Sequence, residues 1–255
     1  MSAISQKQVD QVVAIELIQL ASDYEERKRQ NANKGPWYPR DYTGLDRPRR
    51  QELPEGMCLG LEGYQLNGKL IPTEVLDRLE RGKVCFMDCS MIYEVALYRT
   101  ARKVWGDEFF NQYFGKTLRL SSDLNQTPLG KLRLAYPIEG REGERTVEVG
   151  DWCGFRNHRD YYLKFPEGAF GSHNTICIDA TPHPQKFVGF GNSPQGVTER
   201  EIIEVFIAEF NATGWPITVE DLMRDGGGLL ISHGRIKLSV QKLHQVFELH
   251  TKEAL

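Results

Sequence analysis

The sequence predicts an α+β fold in which an antiparallel sheet carries, on one face, a central helix with a nucleophile at its N-terminus. Three observations predict it. Val84-Cys85-Phe86-Met87-Asp88-Cys89-Ser90 reads as a short buried strand that ends where a long helix begins, with Cys89 at the junction. Residues 117–149 change to strand-like alternation broken by glycine and proline, and a β-branched strand with a hairpin partner follows over 173–192. A thiol at a helix start, followed later by strands and a histidine on one of them, is the order expected of a cysteine-histidine hydrolase or acyltransferase.

The 255 residues are enough for one large core. We expect residues 57–255 to form the catalytic domain and residues 1–56 to form an N-terminal helix with an irregular proline-rich wrap. The net charge of −3 has both signs interspersed and no basic stripe, which argues against nucleic acid as a partner. The basic cluster from Arg40 to Arg50 is interrupted by Tyr42, Gly44 and Pro48, and reads as a solvated loop. The longest apolar stretch, Ile202 to Phe210, is broken by Glu204 and Glu209, so neither a membrane span nor a signal peptide is visible. Five cysteines without paired spacing read as reduced thiols, hence cytoplasmic synthesis. A secreted or injected effector has the same signature.

In chain order, Val9, Val12, Val13, Leu17, Leu20 and Tyr24 recur at helical spacing, so the chain opens with an amphipathic helix from 8 to about 29. Glycine and proline punctuate the segment up to Gly56, where the domain boundary falls. Gly63 to Leu70 suggests a short hairpin, and Thr73 can cap a helix carrying Val75, Leu76 and Leu79 that stops at Gly82. After the Cys89 segment, a second helix spans Asp107 to Phe114. Alternating strand positions follow at Leu118 and Leu120, at Leu132, Leu134 and Tyr136, and at Val147 and Val149. Gly150 to Phe155 reads as a turn into a loop holding Asn157, His158, Tyr161 and Tyr162. His173 to Asp179 is a β-branched strand with Lys186 to Asn192 as its hairpin partner. Thr198 and Glu201 form a capping box for a helix over 198–211, and another short helix starts at Thr218. Gly226-Gly227-Gly228 breaks the chain before Leu229 to Ile231 and a last helix with Val240, Leu243 and Phe247. That triple glycine is followed by no Gly-Lys-Ser/Thr and is not a phosphate loop.

Cys89 is the candidate nucleophile. Ile92, Tyr93, Ala96, Leu97, Thr100 and Val104 fall on its face of the helix, and the first turn offers unpaired N–H groups and the positive end of the dipole. The attacking thiolate is favoured there. His173, at the start of a strand, is the candidate general base. If Asp179 pairs with Lys186, position 173 falls opposite 192, and Asn192 would orient the ring. Cys58, Cys85, Cys153 and Cys177 read as core thiols. His158, His183, His233, His244 and His250 read as solvated. A zinc site of Cys85, Cys89, Cys153 and a histidine lacks the C-x-x-C spacing, so no metal or organic cofactor is implied.

These residues resemble a known family. Phe86-Met87-Asp88-Cys89-Ser90 is similar to the Phe-Glu-Cys-Ala-Thr nucleophile segment of the small bacterial transglutaminases of the spore-coat type, with one residue of shift before the cysteine. Gly106-Asp107-Glu108-Phe109-Phe110-Asn111 resembles that family's Gly-Glu-Asp-Lys-Phe-Asn at the same distance from the cysteine. Gly150 to Asn157 resembles its Gly-Asp…Phe-Lys-Asn segment, and Gly171-Ser172-His173-Asn174 aligns on its Arg-Gly-Glu-Asn. The resemblance covers residues 85–192. It departs at His173, where the family has glutamate, while the family's histidine falls near Phe190.

That family is similar in fold to the papain-like NlpC/P60 group. The resemblance implies an acyl-enzyme formed on a protein glutamine side chain and captured by a lysine amine, with glutamine- and lysine-bearing proteins as partners. Water in place of the amine gives deamidation. An NlpC/P60-like amidase or cysteine peptidase, and a non-catalytic papain-like binding scaffold, are the alternatives.

Overall fold

The structure, a computed structural model, describes residues 5–30, 37–38, 53–60, 63–81, 85–86, 89–121, 127–129, 133–136, 147–166, 168, 170–181, 184–189, 193–228 and 230–236. In chain order its elements begin with α1 (Gln6–Gln30), β1 (Trp37–Tyr38), β2 (Met57–Leu59), β3 (Tyr64–Leu66), α2 (Pro72–Arg81), β4 (Cys85–Phe86) and α3 (Cys89–Trp105). They continue with α4 (Asp107–Phe114), β5 (Arg119–Leu120), β6 (Arg133–Tyr136), β7 (Trp152–Arg156), α5 (Tyr161–Lys164) and β8 (Ser172–Asp179). The last are β9 (Lys186–Gly189), α6 (Glu199–Phe210), α7 (Val219–Arg224) and β10 (Leu230–Ile236). The strands make a five-stranded antiparallel sheet in the order β6-β10-β7-β8-β9, a three-stranded antiparallel sheet β2-β3-β5, and a parallel pair of β1 with β4. The fold is α+β, as the sequence predicts.

The centre of this arrangement is α3. Every residue from Ser90 to Tyr98 is buried, as are Thr100 and Ala101. A helix buried all round has to be covered from several sides. α1 covers one side with Val9, Val13, Leu17 and Leu20, spaced to share a face. Trp152, Ile176 and Val188 of the large sheet cover a second, and Phe110, Phe114, Leu118 and Leu120 a third. Two polar side chains inside are tied to the segment after α4: the Ser121 N–H donates to Glu94 Oε2 at 2.8 Å, and Tyr98 Oη donates to the Arg119 carbonyl at 2.9 Å. The helix of the expected N-terminal segment is thus part of the same core as the Cys89 helix.

The other face of the large sheet builds a second core. Cys153, Phe155, Cys177 and Phe187 meet Ile202 and Phe206 of α6 and Leu222 of α7. α6 begins with the capping box expected of Thr198 and Glu201, and α7 repeats the device with Thr218 and Asp221. The sheet is therefore a wall between two apolar layers. Which layer a strand residue faces is decided by its parity.

Several details differ from the sequence expectation. Residues 152–156 form a strand, β7, whose first four residues are buried. A strand covered on both faces has no alternation to betray it. Leu230 to Ile236 pairs with both β6 and β7, so the chain after the triple glycine is a central strand. α2 starts at Pro72, the favoured first position for proline. Thr73 instead binds α4, its N–H and Oγ1 meeting Asn111 Oδ1 and Nδ2 at 3.0 Å each. Asp179 does pair with Lys186, but a bulge shifts the ladder by one residue, so that Cys177 faces Phe187 and Thr175 faces Gly189. The register that would put position 192 opposite 173 does not hold. Asn192, the Arg40–Arg50 cluster and the expected final helix with Val240, Leu243 and Phe247 lie outside the described residues. Among the described residues, no helix is long and apolar enough to cross a membrane.

Candidate active site

Cys89 is the first residue of α3, the place the sequence assigns to it. The N–H groups of a helix's first turn have no partner within the helix, and the peptide dipoles add there to a partial positive charge. A thiolate in that turn is stabilised relative to a thiol. No acidic residue stands in the first turn of α3.

The sheet meets this helix start through β8. Asn174 Nδ2 donates to Ser90 Oγ at 3.1 Å, across 84 residues of sequence. One turn further along α3, Tyr93 rests against Trp152 of β7 with ring centroids 6.1 Å apart. Trp152 pairs with Ile176 and Gly154 with Asn174 in the β7–β8 ladder, so the first turns of α3 lie over these two strands. The near face of β8 is made by Asn174 and Ile176.

His173 lies on the far face. In the ladder it stands opposite Phe155, a member of the second core, and it shares its parity with Thr175 and Cys177. A Cβ added at Gly189 would lie 2.9 Å from His173 Nε2 and 3.0 Å from Thr175 Cγ2, which places the imidazole over β9 on the α6 side. The expected contact between His173 and the α3 start is not what this strand provides, because side chains on a strand alternate strictly between faces. Asn174 is the β8 residue that meets the start of α3.

The remaining thiols follow the reading of them as core residues where they are described. Cys153 and Cys177 are fully buried, and Cys58 is half-buried. Burial, reinforced by the carboxylate of Asp151, pushes the Cys177 thiol up to about 12. It is inert at neutral pH.

The sequence reading missed His158, which is not solvated. It is 8 % exposed, and its Nε2 lies 2.5 Å from Asp225 Oδ2. The Asp160 N–H donates to Nδ1 at 3.2 Å, so Nε2 carries the proton that faces Asp225. Arg156 Nη2 reaches the carbonyls of Asp225 and Gly226, and the Gly228 N–H returns to the Arg156 carbonyl at 2.6 Å. Together they clamp the glycine turn between α7 and β10, where Gly226 and Gly228 have positive φ. Only the adjacency of Asp225 to three glycines hinted at a fixed turn. No group of three or more histidine, cysteine, aspartate or glutamate side chains among the described residues is arranged to hold a metal ion.

No family model and no curated protein matches this chain in sequence. Among solved structures it is similar to the transglutaminase from Geobacillus stearothermophilus without its C-terminal extension, with a TM-score of 0.57. The fold is transglutaminase-like. The match covers 94% of this chain and 96% of the other at 16% identity, so the shared architecture extends over nearly the whole of both. At that identity, the likeness is one of backbone arrangement.

Proposed function

We propose that this transglutaminase-like chain carries out cysteine-dependent acyl transfer on the glutamine side chains of proteins, with Cys89 as nucleophile. The observation that carries the reading is a cysteine in the first turn of a central helix whose start is fastened to the antiparallel sheet through Ser90 and Asn174. The thiolate attacks the glutamine carboxamide carbon, and the nitrogen leaves as ammonia after taking a proton. A thioester remains. The N–H groups of a helix's first turn, which take no partner from within the helix, are suited to the oxyanion of the tetrahedral intermediate. A lysine amine of a second protein then displaces the sulfur to form an isopeptide crosslink; water in its place gives glutamate.

Ammonia release from a glutamine-rich protein is the test. The wild-type chain is expected to release it and Cys89→Ala to release none above background. Undiminished release by the variant overturns the reading. Incorporation of a primary-amine probe into the acceptor marks transamidation, whereas release without incorporation marks deamidation. New amino termini in the products would point to the amidase or peptidase alternative.

A further inference from the structure

We infer that Asn174 is a positioning residue for Cys89, acting through Ser90 to hold the first turn of α3 in the conformation that favours the thiolate. This rests on the reading of Cys89 as nucleophile and goes beyond it by naming the sheet residue that prepares it. Asparagine is depleted in strands, and the neighbours of Asn174 on its face of the sheet are apolar: Trp152 is 6% exposed, Ile176 and Val188 0%. A carboxamide among them is costly unless it is hydrogen-bonded. One partner is Ser90 Oγ, in the second residue of α3 and itself 9% exposed. Ser90 likewise stands in an otherwise apolar run, Met91-Ile92-Tyr93. Two polar residues in two apolar surfaces are thus matched to one another across the helix–sheet contact.

The location gives the bond its consequence. The first turn is the part of a helix with the fewest internal hydrogen bonds, and it frays first. Further in, α3 is held by packing such as Tyr93 on Trp152. At its start the Asn174–Ser90 bond is a directional tether, and the donors and dipole available to Cys89 are ordered only while that turn is. Loss of the tether should therefore change the chemistry of the neighbouring thiol more than the stability of the fold.

The experiment follows alkylation of Cys89 by iodoacetamide against pH in the full chain, read by mass spectrometry of the Cys89 peptide, for wild type, Asn174→Ala, Ser90→Ala and the double variant. Ile176→Val, on the same face of β8, serves as a packing control, and melting temperatures are recorded for all. The expected result is a labelling midpoint in wild type below that of free cysteine. Either single substitution should raise it, with labelling at neutral pH slowed about five- to tenfold, the worth of one hydrogen bond. The double variant should be no slower than the singles, because both remove the same bond. Ile176→Val should lower the melting temperature and leave the midpoint in place. A midpoint in Asn174→Ala equal to that of wild type, additive effects of the two substitutions, or an equal shift in Ile176→Val overturns the inference, as does a wild-type midpoint no lower than that of free cysteine. Activated labelling in wild type without ammonia release from glutamine would instead defeat the proposed reaction and leave the positioning role standing.

Discussion

His173 and Asn174 are consecutive residues of β8 whose side chains leave opposite faces of the sheet. Asn174 reaches Ser90 at 3.1 Å, while His173 faces Phe155 and the backbone of Gly189. Between the imidazole and the start of α3 stands the sheet itself. If Cys89 is the nucleophile proposed above, its proton acceptor has to lie on the α3 face, and the imidazole of residue 173 lies on the other.

The first prediction concerns His173. General acid–base catalysis by a positioned side chain contributes about 10²–10⁴ in rate, so removal of a true base is hard to miss. His173→Gln is expected to keep kcat/KM for glutamine-dependent ammonia release within about threefold of wild type, a change below any general-base contribution. A loss of two orders of magnitude or more with an unchanged circular dichroism spectrum would return the base role to the imidazole.

Much of the frame was legible because each piece carried a local signal. The stripe from Cys89 through Tyr93 to Leu97 has helical period, and Thr198 with Glu201 spells a capping box that the structure forms in full. What was illegible depends on pairing across the chain. β7 is covered on both faces and shows no alternation, so Trp152 to Phe155 read as a loop. The parity that separates His173 from Asn174 is set by the β7–β8 register, and no single strand contains that information. The bulge between Cys177 and Asp179, which displaces the register expected for Asn192, has no marker residue. His158 and Asp225 meet only once the α7–β10 turn has folded back on β7.

The second prediction concerns the seam between the N-terminal helix and the Cys89 helix. Glu16 is buried in α1, with its side chain 1% exposed, and its Oε2 lies 2.7 Å from Arg99 Nε, while Oε1 meets Lys103 Nζ. Removing one member of a buried ion pair leaves the other desolvated, at a cost of about 3–5 kcal/mol. Glu16→Ala should therefore lose on the order of 3 kcal/mol in urea unfolding. Replacing both Glu16 and Arg99 by leucine should recover most of the loss, since an apolar pair leaves no stranded charge. A Glu16→Ala midpoint equal to that of wild type would mean that α1 is not held by this contact.

The last prediction concerns acid. Backbone and side-chain hydrogen bonds from Thr198 hold the Glu201 carboxyl below its ordinary range, and those from Thr218 do the same for Asp221. The Thr198 N–H donates to Glu201 Oε2 at 2.7 Å, and the Thr218 N–H to Asp221 Oδ2 at 2.9 Å. Asp179 is lowered by its bonds from Thr181. A carboxyl whose pKa is lower folded than unfolded binds fewer protons in the native state, so it adds stability above the unfolded value, about 4 for these groups. That contribution fades as pH falls through the folded value. The melting temperature should be nearly level from pH 7 to 5 and decline below pH 4. Because two of these carboxylates cap the helices that cover the far face of the sheet, Glu201→Gln with Asp221→Asn should lower the neutral melting temperature and, having lost that contribution already, show a shallower acid decline. An acid limb as steep in the double variant as in wild type would place the titrating groups elsewhere in the chain.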